Sequence, residues 1–164
     1  MLNLGPTSPL RRAIYAWAKK ELEMEFVWED QDEHRLNKPY GTLKISPGFK
    51  RLGGTDNIRR NADGTFTIAG GREFTVSLNC YGDNALGRAS FVHSSIEKLS
   101  VTDTFSLAGL VCVSASQPID LSRVVNNNFE ARCQIDVRFR VSQEVLDIRE
   151  YFEIVDEITG EIIS

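Results

Sequence analysis

Residues 129–145 constrain this chain more than any other stretch. Within them Cys133, Ile135, Val137, Phe139 and Val141 alternate strictly with Gln134, Asp136, Arg138, Arg140 and Ser142. A period of two in β-branched and aromatic residues is the pattern of a half-buried antiparallel strand. Slipping the register by one residue turns the whole apolar row towards water, so the pairing of this strand is firmly specified. Its second face carries charges of both signs. Such a face is either solvated or set against another subunit.

The remaining elements are arranged around that strand. Thr7 or Ser8 can cap a helix that opens at Pro9 and presents Leu10, Ile14, Trp17 and Ala18 on one stripe over about four turns. A basic helix with a tryptophan also suits a membrane surface. Here the apolar stripe is narrow and Glu21, Glu23 and Glu25 follow at once, which favours docking on the sheet. Phe26-Val27-Trp28 predicts a short strand. Residues 40–52 predict a second strand region with Leu43 and Ile45 inward and a break at Pro47-Gly48. The turn Ala62-Asp63-Gly64 between two strand-like runs signals a hairpin. That arm has few apolar residues for its length, as expected of a hairpin projecting from the body, and Gly70-Gly71 closes it. Residues 72–81 predict the second central strand, with Phe74, Val76, Leu78 and Cys80 inward. Gly82-Asp83-Asn84 ends it and caps a helix whose stripe is Ala85, Ala89, Val92, Ile96 and Leu99. A short helix over residues 102–110, a brief buried strand at Val111-Cys112-Val113 and a loop or helical turn over residues 118–128 precede the central strand. Residues 151–155 lead to a terminal strand pattern over 158–163. Together these predict an α+β fold: a mainly antiparallel β-sheet, two helices packed on one face, and a projecting β-hairpin, in a single domain over residues 1–164.

Little here suggests chemistry. Three cysteines, Cys80, Cys112 and Cys133, stand singly in strand-like runs and read as reduced core residues of a protein made in a cytosol. No secretory leader and no run of membrane-spanning length is expected. A net charge of −4 does not suit tight binding of nucleic acid. Glu29, Asp30, Asp32, Glu33 and His34 crowd six residues, which raises a metal or acid–base site. Their spacing matches neither a calcium loop nor a zinc motif, and the expected reading is a solvated loop ending at Pro39. His93 adjoins an apolar stripe and reads as a core-edge residue. No nucleophile elbow, phosphate loop or His-Glu-x-x-His is present. The expectation is no catalytic, cofactor or metal residue; a small soluble enzyme or metal-binding domain using residues 29–34 is the rival from another class.

Charge segregation is more informative. Lys44, Lys50, Arg51, Arg59 and Arg60 face only Asp56 and Asp63, whereas Glu144, Asp147, Glu150, Glu153, Asp156, Glu157 and Glu161 face Arg149 alone. Opposite patches on one protomer suit a head-to-tail contact between copies, and such contacts close into rings when the rotation permits. The candidate interface is therefore Lys44, Lys50, Arg51, Arg59 and Arg60 against Glu153, Asp156, Glu157 and Glu161. Plain solvated surface is the alternative.

Five pieces in order carry a resemblance. They are the helix over residues 10–20, Val27-Trp28-Glu29-Asp30-Gln31, Pro39-Tyr40-Gly41-Thr42-Leu43, Arg72-Glu73-Phe74-Thr75-Val76-Ser77-Leu78 before a helix, and Phe129-Glu130-Ala131-Arg132 leading into Ile135-Asp136-Val137-Arg138-Phe139. In order and spacing the chain resembles the neck or tail terminator proteins of tailed bacteriophages, especially contractile-tailed ones. That resemblance implies a homohexameric ring in the tail neck of the virion, assembled in the host bacterial cytoplasm. Such a ring stops polymerisation of tail tube and sheath proteins and joins the tail to a head-side connector or stopper protein. Genomic dsDNA passes through its lumen without specific binding. The family has no catalytic motif or cofactor to carry over. A head–tail connector stopper, a tail-completion protein, or the equivalent part of a contractile particle without DNA would share much of this pattern.

Overall fold

The structure, a computed structural model, describes residue 5 and residues 7–30, 36–125 and 127–148. In chain order its elements are α1 (Pro9–Leu22), β1 (Glu25–Trp28), β2 (Tyr40–Ile45), β3 (Lys50–Arg51), β4 (Asn57–Arg60), β5 (Phe66–Tyr81), α2 (Ala85–Ile96), α3 (Leu99–Leu107), β6 (Leu110–Ala115), β7 (Ile119–Asp120), β8 (Arg123–Val125), β9 (Asn128–Glu130) and β10 (Arg132–Asp147). The fold is α+β. Its eight-stranded sheet follows the order β1-β2-β5-β10-β6, with β3 and β4 also on β5 and β7 on β10; β8 and β9 form a separate ribbon. Every pairing is antiparallel except β1 with β2.

β5 and β10 pair without a register shift from Arg132↔Tyr81 to Asp147↔Phe66. At the usual rise of an antiparallel strand these 16-residue elements span about 50 Å. The alternation read from the sequence gives the core directly. Cys133, Ile135, Val137 and Phe139 are at most 1% exposed, and opposite them lie Phe74, Val76, Leu78 and Cys80. Cys80 and Cys133 stand level as free thiols, and burial pushes the Cys80 thiol up to about 12. Over this face sit Leu10, Ile14 and Trp17 of α1, Ala89 and Val92 of α2, and Val101 and Phe105 of α3. Phe105 meets Phe139 edge-on with ring centroids 5.2 Å apart. The Trp17 indole N–H, buried among them, donates to Ser95 Oγ at 3.2 Å, so its polar end is satisfied.

Local signals set the first helix. Ser8 Oγ accepts the Arg11 N–H at 3.2 Å, and Pro9 sits where its missing N–H is no loss. Elsewhere the chain departs from expectation. The short helix expected over residues 102–110 begins earlier, at Leu99, and packs over the sheet beside the other two. Leu99 does not extend the stripe of α2: Lys98 is extended between the helices, so Leu99 opens α3 and is 82% exposed while Val101 and Phe105 turn inward. Val111 is 62% exposed, because in β6 it alternates with the buried Leu110. Residues 118–128 hold the short strands β7 and β8 and not a helical turn. Asn127 takes the left-handed φ of 62° at the turn into β9, a conformation asparagine tolerates. Phe129 consequently lies in β9, 69% exposed, and not in the central strand.

The glycine pair does not close the arm either. β5 runs straight through Gly70 and Gly71, since β4 and β3 on one side and β10 on the other supply its backbone partners. A Cβ on Gly70 would lie 1.8 Å from Asp56 Oδ1, in the space now filled by the Asp56–Arg72 ion pair. The expected strand pattern over residues 158–163 lies outside the described residues.

One long-range contact ties α1 to the end of β1. The Arg11 guanidinium is buried, lies 4.5 Å from the centre of the Trp28 ring, and binds both carboxylate oxygens of the half-exposed Asp30. These bonds hold the Asp30 carboxyl below the usual carboxylate range. Its stabilisation is therefore complete above the unfolded value of ~3.9 and is lost as pH falls through the lower folded value. Asp30→Asn should cost on the order of 1 kcal/mol at pH 7, less than a fully buried pair because water reaches Asp30. In thermal melts the gap between wild type and variant should close as pH falls below the unfolded value of ~3.9 and through the lower folded one. A gap independent of pH would remove the carboxylate charge as its cause.

Candidate assembly surface

The helix-free face of the sheet is polar and closely ordered. Asn79 is 2% exposed. Its carboxamide oxygen accepts from the Arg132 guanidinium at 3.0 Å, and its NH2 donates to Glu29 and Thr42, each at 3.2 Å. Thr42 donates in turn to Glu29 at 2.7 Å. Tyr40 and Tyr81 stack at 4.7 Å beside this group, and Arg132 lies over the Tyr81 ring. Further along, Asp136 accepts from Ser77 at 2.7 Å and from Gln134 at 3.1 Å. Buried Glu73 holds Arg140 at 3.0 Å and Arg138 at 3.7 Å, while both arginine side chains stay about half exposed. Every one of these groups is fixed by a neighbour. What the face offers is a rigid array of charge with spare guanidinium donors.

Past the helices the sheet continues as a three-stranded arm made of β4, the first six residues of β5 and the last six of β10. The register sets its faces. Ile58, Ile68 and Val145 are level on the helix side, and Arg59, Thr67 and Leu146 are level on the polar side. No helix among the described residues reaches this far. Ile58 is 63%, Val145 44% and Leu146 58% exposed. At the arm's root an open groove of about 380 Å³ is lined by Leu52, Gly71, Leu110, Val111 and Val141.

The five cations expected to form one patch are divided by strand parity. Lys44 lies on β2, 3.5 Å from Glu29, and Lys50 stands level with Glu73; with Arg59 they share the polar face with Arg138 and Arg140. Arg51 and Arg60 point to the other side. Arg51 is engaged within its own arm: with Arg72 it binds Asp56, whose carboxyl the Arg72 guanidinium holds below the usual range. Arg59 and Arg60 are exposed and have no ion-pair partner among the described residues. Arg138 and Arg140 belong with the polar-face cations and were not grouped with the arm from sequence, although their alternation with Val137 and Phe139 already placed them there.

Glu153, Asp156, Glu157 and Glu161 lie outside the described residues, as do Asp32, Glu33 and His34. The two described carboxylates of the acidic run have structural partners: Glu29 binds Thr42, Asn79 and Lys44, and Asp30 binds Arg11. Among the described residues no group of three His, Cys, Asp or Glu side chains could hold a metal ion. His93 donates through Nε2 to the Ser116 carbonyl at 2.8 Å, fastening α2 to the end of β6.

Compared with known protein families, residues 8–164 match the model of the phage neck terminator protein. The chain belongs to that family. No curated protein matches it. As a neck terminator family member it is a structural component of the virion with a role in the phage tail, where it contacts other phage tail or head proteins. No helix among the described residues is long and apolar enough to cross a membrane.

Proposed function

We propose that copies of this chain form a ring, a homohexamer by resemblance to its family, which caps tail tube and sheath polymerisation and joins the tail to the head-side connector. The observation that carries this reading is the three-stranded arm. It extends the sheet beyond the helices and leaves Ile58, Val145 and Leu146 exposed on strands. A monomer gains nothing from that arrangement, whereas a subunit covers it against a neighbour. Lys44, Lys50 and Arg59 on the polar face, with Arg51 and Arg60 on the other, supply the basic side of the contact. Glu153, Asp156, Glu157 and Glu161 supply acid on the facing copy. The net charge of −4 supports a lumen through which genomic dsDNA passes without specific binding. Assembly takes place in the host cytoplasm, in keeping with the free thiols of Cys80, Cys112 and Cys133.

The test is electron microscopy of a lysate from cells carrying the parent phage with this gene stopped early. Overlong or ragged tails apart from full heads are expected. Tails of normal length unattached to heads would move the role to a head-side stopper or tail-completion protein. Normal infectious particles would overturn the proposal.

A further inference from the structure

Both outer edges of the arm lack a strand partner among the described residues. On one side β4 pairs only with β5. On the other, β6 leaves β10 at Val141, so residues 142–146 pair only with β5. An unpaired edge is a template for another strand, and charge at an edge decides which strand it accepts. The β4 edge is basic, with Arg59 and Arg60 exposed. The β10 edge carries Glu144 and leads into the stretch with Glu150, Glu153, Asp156, Glu157 and Glu161 against Arg149 alone.

We propose that the β4 edge of one copy pairs with the β10 edge of the next, joining the arms into one continuous intersubunit sheet; this rests on the ring reading above. Like edges repel, since β4 against β4 sets arginine against arginine and β10 against β10 sets acid against acid. Only the unlike pairing is attractive. It is head-to-tail, which builds rings and not two-fold dimers. Strand direction agrees. β4 and β10 are each antiparallel to β5, so both run from the body towards the tip, and arms related by rotation about a common axis meet there as parallel neighbours. Because Ile58, Ile68 and Val145 are level within one arm, a level junction sets Val145 beside the next copy's Ile58. The apolar row then continues from arm to arm. On the opposite face Glu144 comes diagonal to the next copy's Arg59, with Asn57 level beside it, since Asn57, Ala69 and Glu144 form one row.

The test is a double variant of the full chain, Ile58→Cys with Val145→Cys, assembled and then oxidised. Within one arm these positions are two strand spacings apart, about 10 Å, beyond the ~7 Å limit for a disulfide, so only a junction between copies can join them. A ladder of covalent multimers ending at the size of the ring is expected. Each single variant should give no more cross-linking than the wild type with its own three cysteines. Intact rings by native mass spectrometry with no ladder would overturn the paired edges and leave the ring reading standing. Absence of rings from the wild type itself would overturn both. A ladder seen only after residues 149–164 are removed would assign the β10 edge to the chain's own C-terminal segment, which also overturns the proposal.

Discussion

Phe139→Ala should lower the unfolding free energy by about 3–5 kcal/mol. Phe139 is 0% exposed at the middle of β10, stacked on Phe74 at 5.8 Å and met edge-on by Phe105 at 5.2 Å. Removing the ring loses its transfer free energy, and its lining cannot collapse into the space. Phe74 is fixed in a strand paired with β10, and Phe105 is held in turn against Trp17 at 5.5 Å. For a chain of this size the expected fall in Tm is roughly 10 °C. Phe129→Ala serves as the control. It removes the same ring ten residues earlier, from a side chain 69% exposed on β9, and should cost under ~0.5 kcal/mol. Urea unfolding of both variants checks the contrast. Equal losses would mean that Phe129 is covered in solution and that the sheet's core is not centred on Phe139.

That pair of phenylalanines also shows where sequence reading works. Cys133 to Val141 alternate within one strand, and local alternation is enough to assign faces, so the core of β10 and of β5 was legible residue by residue. The capped start of α1 was equally local: Ser8, Pro9 and the stripe Leu10, Ile14, Trp17 and Ala18 needed no knowledge of the rest. Features decided by a partner far along the chain were not legible. Gly70-Gly71 carries a breaker signal, yet backbone pairing on both sides keeps the strand intact and the Asp56–Arg72 pair occupies the space without side chains. Leu99 fits the spacing of α2 and is displaced by the extended Lys98. The parallel pairing of β1 with β2 is a topological fact that Phe26-Val27-Trp28 alone does not carry. The candidate site fared similarly. Its cations were visible as a count along the chain, but their division between two faces follows from register with β5, and the capture of Arg51 by Asp56 follows from a turn that brings together residues five positions apart. The acidic run at residues 29–34 looked chemical because carboxylates adjacent in sequence suggest a shared target. Glu29 and Asp30 instead point to different partners, one on the sheet and one on α1.

Reversing two charges on the arm, Arg59→Glu with Arg60→Glu, should abolish assembly while leaving the isolated chain as stable as before. Both residues are exposed on a strand outside the core and hold no ion pair among the described residues, so a change in Tm of no more than about 1 °C is expected. At a junction with an acidic edge the effect is different in kind. Each reversal replaces an attraction worth roughly 0.2–1 kcal/mol with a repulsion of similar size, so the two together weaken one junction by roughly 1–3 kcal/mol. A closed ring repeats that penalty at every junction, and the yield of rings should fall by well over tenfold near physiological ionic strength. Because these charges are exposed, salt should matter: at ~1 M, where the Debye length is near 3 Å, part of the ring population should return. Glu144→Arg added to the reversed arm should restore rings at low salt by making the two edges complementary again. Size-exclusion chromatography with light scattering reads all three states. Rings of normal yield from the doubly reversed chain would show that β4 faces solvent and would leave the polar face with Arg138 and Arg140 as the surface on which the ring is built.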